Sequence, residues 1–119
     1  MKRDKITISE NTVIVTGGNI WMTDAEIVEL FGTTAGAVYA GIKTIFKENA
    51  LHDYEVCKCI RLDSGNSADV YNMEVVVALA FRLNTYPASV FRKWLVKTAT
   101  APRRTTPPIV IRYRDGLLN

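Results

Sequence analysis

Side chains able to make or break covalent bonds are few in this chain. It has one histidine, His52, and two cysteines, Cys57 and Cys59. Two apart on a strand, the thiols point to one face, and a disulfide between them would be strained. Together with His52 they make three ligands, one short of a closed structural zinc site, so both are expected as reduced thiols. The carboxylates are scattered and suggest no acid/base pair. Ser9, Ser64, Ser67 and Ser89 lack a Gly-x-Ser-x-Gly setting. Gly17-Gly18 and Gly65 read as turn glycines rather than a phosphate loop. The expectation is a protein that is not an enzyme, with no cofactor, no metal and no small-molecule substrate.

What the chain does offer is cations and hydroxyls, which suit phosphate oxygens. Net charge is +3 over 119 residues, with pronounced asymmetry. Residues 1–81 carry 7 Lys/Arg against 11 Asp/Glu, whereas residues 82–119 carry 8 against Asp115 alone. A polyanion partner for the basic third fits this distribution. A solvated helix face followed by a basic tail fits it as well.

The elements that must position these groups centre on Thr23 to Phe46. Thr23 can cap a helix, with Glu26 closing a capping box. Ile27, Leu30 and Phe31 give that helix one apolar face, and Gly32 can end it. Thr33 or Thr34 can cap a second helix, which buries Val38, Ile42, Ile45 and Phe46 and ends near Glu48-Asn49, with Asn49 as C-cap. Two helices joined by so short a Gly-containing turn make a helix-turn-helix. In the DNA-binding form the second helix enters the major groove; the alternative is a helix corner that only builds a core.

Residues 5–16 alternate around Glu10-Asn11 and read as a β-hairpin, followed by a turn at Thr16–Asn19. Ile20, Trp21 and Met22 lead into the first helix, Trp21 as a core anchor. Residues 52–55 read as a linker, 56–62 as a strand, 63–67 as a turn and 68–71 as the returning strand. A hairpin in that place is what a winged helix-turn-helix carries, and Lys58 and Arg61 could then follow a phosphate backbone; plain scaffold is the other reading. Asn72 can cap an almost wholly apolar helix, with Glu74 in its first turn. Pro87 suits the start of a last helix over 88–99. That helix gathers Phe91, Trp94, Leu95 and Thr98 on one face, with Arg92, Lys93 and Lys97 on or near the other. Residues 100–108, with three prolines, read as an extended linker, and Ile109–Arg114 alternates like a strand that could pair with an edge in this chain or a second subunit. No apolar run approaches the ~18 residues of a membrane span, and the N-terminus lacks the apolar stretch of a signal peptide; the expected compartment is the cytoplasm.

Four of these segments, in order, resemble the RhuM family of bacterial proteins: Trp21-Met22-Thr23, Ile42 to Glu48, Tyr71-Asn72 and Phe91 to Trp94. The match spans about residues 20–100. The resemblance implies a helix-turn-helix near the start of the domain and DNA as its ligand, but no defined biochemical mechanism. Where the family's second helix opens with polar, often basic residues, this chain has Thr34-Ala35-Gly36-Ala37. Alanine can touch a thymine methyl but makes no bidentate contact to guanine or adenine, so contacts to phosphate are expected to dominate.

The expectation is therefore an α+β fold over residues 1–100. It is a winged helix-turn-helix-like domain with an N-terminal β-hairpin, a β-hairpin wing and two further C-terminal helices, followed by a Pro/Arg-rich extension at 101–119. The expected partner is double-stranded DNA, bound in a transcription-regulator role by a homodimer. The expected contacts are Thr33, Thr34, Tyr39, Lys43, Thr44, Lys47, Lys58, Arg61, Arg92, Lys93, Arg103 and Arg104. The competing expectation is a protein-interaction or oligomerisation module that keeps the fold without binding DNA.

Overall fold

Strand β1 (Ile6–Ser9) and strand β2 (Thr12–Val15) pair antiparallel, Ile6 opposite Val15 and Ser9 opposite Thr12. The loop between them is Glu10-Asn11, with Glu10 at φ 54°. The computed structural model describes residues 2–48 and 53–101. The expected cap Asn49, His52, Arg103, Arg104 and the strand at 109–114 lie outside the described residues.

The second sheet has the order β3-β5-β4 and is antiparallel throughout. Strand β3 is Trp21–Thr23, β4 is Cys57–Arg61 and β5 is Ser67–Asn72. The expected lead into the first helix is thus a short strand at Trp21–Thr23. Its three residues are too few to show alternation, and its partner lies about fifty residues on, with Met22 opposite Tyr71. The β4–β5 turn closes through Gly65, at φ 93°, whose N–H donates to the Leu62 carbonyl at 2.9 Å. Glycine takes that left-handed conformation without steric cost.

Helix α1 (Asp24–Phe31) begins at the expected capping box, Thr23 Oγ1 accepting from the Glu26 amide at 3.1 Å and Glu26 Oε1 from the Thr23 amide at 2.9 Å. It ends at Gly32, φ 59°. The Thr33 amide then donates to the Val28 carbonyl at 3.1 Å, closing the helix end as a Schellman motif does. Thr34, not Thr33, caps helix α2 (Ala35–Lys47), its Oγ1 accepting from the Ala37 amide at 3.1 Å. Helix α2 stops at Glu48. Asp53–Val56, expected as linker running into strand, form one helical turn, α3. Asn72 caps helix α4 (Met73–Ala80), so burial and capping override the strand propensity of Val75-Val76-Val77. Helix α5 (Tyr86–Thr100) starts at its Thr85 cap with Pro87 in the first turn.

The result is a small α+β domain with four helices of eight residues or more and two antiparallel sheets among the described residues. Its core joins Ile27 and Phe31 of α1, Val38 and Ile45 of α2, Val75, Val76 and Leu79 of α4, and Phe91 of α5, each fully enclosed. On α5 the buried set is Ala88, Val90 and Phe91, with Trp94 and Leu95 half-buried. Thr98, expected on that face, is exposed because the last turns of the helix run past the core.

The two glycines of α2 answer to different demands. A Cβ on Gly41 would lie 2.6 Å from Leu79 Cδ2, whereas one on Gly36 would meet nothing within 4 Å. Gly41 therefore lets α2 and α4 approach closely, and packing within the domain asks nothing of Gly36. We expect Gly36→Ala to stabilise the fold by about 0.5–1 kcal/mol, the helix-propensity gain. Gly41→Ala should lose that gain because fully buried Leu79 must move. Urea denaturation of the two variants checks this; equal shifts would contradict it.

Candidate nucleic-acid interface

Helix α2 presents two unlike sides. Val38, Ile42 and Ile45 turn inward, and Tyr39, Lys43, Thr44 and Lys47 are exposed. Spacings of four along Tyr39, Lys43 and Lys47 place them on one face. Tyr39 is 68% exposed, the most exposed of the large apolar side chains among the described residues, and Lys43 Nζ stands 5.9 Å from its ring centroid. Gly36 and Ala40 are also exposed and leave the helix surface around Tyr39 low. Four of the expected contacts are thus brought together on one outward surface. Thr34 lies exposed at the start of the helix, its Oγ1 occupied as the cap; Thr33 is half-buried in the turn.

The other cations are distributed differently. Lys58 and Arg61 are both exposed, but three residues apart on β4 they project from opposite faces of the strand. Lys58 Nζ sits 4.4 Å from the Trp21 ring centroid, a cation–π contact. Trp21, expected as a core anchor, is half-buried at the sheet surface under that ammonium. Arg92, expected on or near the solvent side, points inward. Its Nη1 donates to the Ala80 carbonyl at 2.6 Å and the Leu83 carbonyl at 2.9 Å. It closes the C-terminal end of α4, where helix carbonyls lack partners and a cation is favoured, and that engagement leaves it poorly placed for an outside phosphate. Lys93 is exposed on α5, which packs on α1, α4 and the first hairpin rather than chiefly on α2.

An ion pair that sequence spacing could not reveal holds the entrance to α1. Arg3 Nη1 and Nη2 donate to Glu26 Oε1 and Oε2 at 2.7 and 3.2 Å, and Nη1 also donates to the Trp21 carbonyl at 2.8 Å. Burial pushes the Glu26 carboxyl up, but the Arg3 bonds, the Thr23 amide and the Arg3 charge together hold it below its usual 4.5. A depressed folded-state pKa contributes stability above the unfolded value and loses it as pH falls through the folded one. With the Glu26 side chain 43% exposed, water screens the pair, and about 0.5–1 kcal/mol is expected. The stability gap between the wild type and Glu26→Gln should be full at pH 6 and close as pH falls below 4.5. A gap unchanged down to pH 2.5, by denaturant titration, would contradict the assignment.

On the other face of the sheet, Tyr71 stands opposite Cys57. Burial, then the neighbouring Cys57, Asp69 and Asp24, pushes its phenol up to about 12, so it stays neutral. Cys57 is half-buried and Cys59 exposed, neither in a disulfide. Among the described residues no three His, Cys, Asp or Glu side chains converge as metal ligands, and no helix is long and apolar enough to cross a membrane.

Comparison of the chain with protein-family models, with curated proteins and with solved structures finds no match.

Proposed function

We propose that this chain is a non-enzymatic, RhuM-like DNA-binding protein of the winged helix-turn-helix type, α2 lying at the major groove. The observation that carries the reading is the outer face of α2, where exposed Tyr39, Lys43, Thr44 and Lys47 share a surface left open among the described residues. Two further features support it. A three-residue turn, Gly32 to Thr34, separates α1 from α2, as in helix-turn-helix proteins. The hairpin β4–β5 follows α2, with β5 seated between β3 and β4, the position of a wing.

On this reading Lys43 and Lys47 neutralise phosphates, while Thr44 and the Tyr39 hydroxyl contact backbone oxygens or base edges. Lys58 and Arg61 project from opposite faces of β4, so only one of them can follow the same duplex, and Lys93 lies on α5, away from the α2 face; Arg103 and Arg104 follow α5 in sequence. Arg92 is left out because it closes α4. Affinity then comes mainly from counterion release with modest sequence preference. Anisotropy of a labelled random-sequence duplex, titrated across a salt series, tests this. Binding that falls steeply with salt supports it; no binding at low salt by the folded protein overturns it.

One observation favours a second reading. Gly36 and Ala40 give the same face a low profile, which also suits close packing against a helix of another copy. In that case Ala40→Lys, on that exposed face, would dissociate an oligomer, and light scattering would register the fall in mass.

A further inference from the structure

The outer strands of the two sheets are β1, β2, β3 and β4, and three of these edges are occupied or charged. On β3 the Trp21 carbonyl accepts from Arg3 Nη1 at 2.8 Å and the Thr23 amide donates to Glu26 Oε1 at 2.9 Å. Strand β4 carries Lys58 and Arg61, charges that discourage an added strand. The edge of β1 is paired at Asp4 with Ile20, the Asp4 amide donating to the Asn19 carbonyl at 2.9 Å. Strand β2 has none of these protections among the described residues. It reads Thr-Val-Ile-Val, β-branched throughout, and residues 11–23 hold no Asp, Glu, Lys or Arg. The Thr16 amide donates to the Lys5 carbonyl at 3.0 Å, so Thr12, Ile14 and Thr16 bond toward β1. By alternation Val13 and Val15 turn their N–H and C=O groups outward, and no described residue bonds them. Between them Ile14 is 53% exposed.

We propose that β2 is a dimer edge, pairing antiparallel with β2 of a second copy about a two-fold axis at Ile14. The edge itself selects that occupant. In an isologous contact residue i meets j and j meets i. With the axis at Ile14, Val13 meets Val15 of the second copy, and Val15 meets Val13. These are the residues whose backbone groups face outward, and each such pair exchanges both N–H···O bonds. Ile14 then faces Ile14 in a pair of the non-hydrogen-bonded kind, where side chains come closest, and the exposed isoleucines cover each other. Thr12 meets Thr16, so no like charges oppose. Sliding the ladder one step either way would set Ile14 on a threonine and a valine on a turn residue, Asn11 or Gly17. The contact uses the hairpins and leaves α2 alone, so the inference stands whether or not α2 binds DNA.

Light scattering of the full-length chain over a roughly hundredfold range of concentration, with amide exchange read by NMR, tests it. The mass should rise from one chain to two, and in the dimer the Val13 and Val15 amides should be protected. Ile14→Lys sets two ammonium groups across the axis on the solvent face of the hairpin. It should hold the mass at one chain and speed exchange at Val13 and Val15 by at least about tenfold. The Thr7 amide, bonded to β2 in either state, should not change and reports that the fold is intact. Mixing this variant with Ile14→Glu, itself a monomer, should restore the doubled mass, because opposite charges then meet across the axis. A wild type that stays monomeric at the highest concentration would overturn the proposal, whether Val13 and Val15 exchange fast or are covered by the same chain. So would a dimer that Ile14→Lys leaves intact, which would belong to another surface, or a mixture that stays monomeric.

Discussion

Reversing the charge of Lys43 and Lys47 together is expected to weaken binding to every duplex by roughly 60-fold at 0.1 M salt. A lysine that neutralises one phosphate contributes about 0.9 log units of affinity per decade of salt, or about eightfold at 0.1 M. Losing two such contacts multiplies to the figure given, and the salt slope should flatten by about 1.8. Both lysines are exposed on the outer face of α2, so Lys43→Glu/Lys47→Glu should fold, with a small loss of stability because Lys47 stands in the last turn, where the helix dipole favours a cation. Because phosphates carry no sequence information, the loss should be uniform. Anisotropy titrations with three or four unrelated duplexes at two salt concentrations give both numbers. An unchanged slope, or a loss confined to one sequence, would remove these lysines from the phosphate-binding role.

Phe31→Ala should cost about 3–5 kcal/mol, the range for emptying a fully buried phenylalanine site. Phe31 is completely enclosed and meets Phe91 edge to face, ring centroids 5.6 Å apart at 72°. That pair joins α1 to α5 at the residue before Gly32, so the substitution opens a cavity where the chain turns toward α2. A single domain has only about 5–15 kcal/mol in total, and much of the population should unfold near physiological temperature. Guanidinium denaturation of Phe31→Ala beside Phe91→Ala measures the cost, and the double variant should lose less than the sum because the partners share the cavity. A cost below about 1 kcal/mol would mean the site collapses or was never closely packed.

Local signals made much of this fold readable. The Thr23–Glu26 box, the Gly32 stop, the Thr34 and Asn72 caps and the Glu10-Asn11 loop each depend on neighbours within four residues, and each is found where expected. What depended on distant partners was not readable. Strand β3 exists because β5 reaches back to it, and three residues carry no period of their own. Arg92 looked like a surface cation because the carbonyls it serves belong to the end of α4 and the turn after it, twelve and nine residues earlier. Arg3 and Glu26 are 23 residues apart, and Lys58 and Trp21 still further. The outer face of α2 was legible because helical periodicity alone separates Val38, Ile42 and Ile45 from Tyr39, Lys43 and Lys47. Which of the scattered cations join that face was not, since it is set by how α5 and the hairpins pack.

The stacking of Lys58 on Trp21 makes this protein its own optical instrument. An ammonium 4.4 Å from an indole centroid perturbs the excited state of that ring. The second tryptophan, Trp94, lies instead against Phe91 at 5.4 Å. The two fluorophores therefore answer to different events. Emission from Trp94 follows the integrity of the core, whereas emission from Trp21 changes whenever an anion draws Lys58 off the ring. Variants that keep only Trp21 or only Trp94 would therefore tell occupancy of the hairpin surface, which moves Trp21 alone, from unfolding, which moves both, without any attached dye.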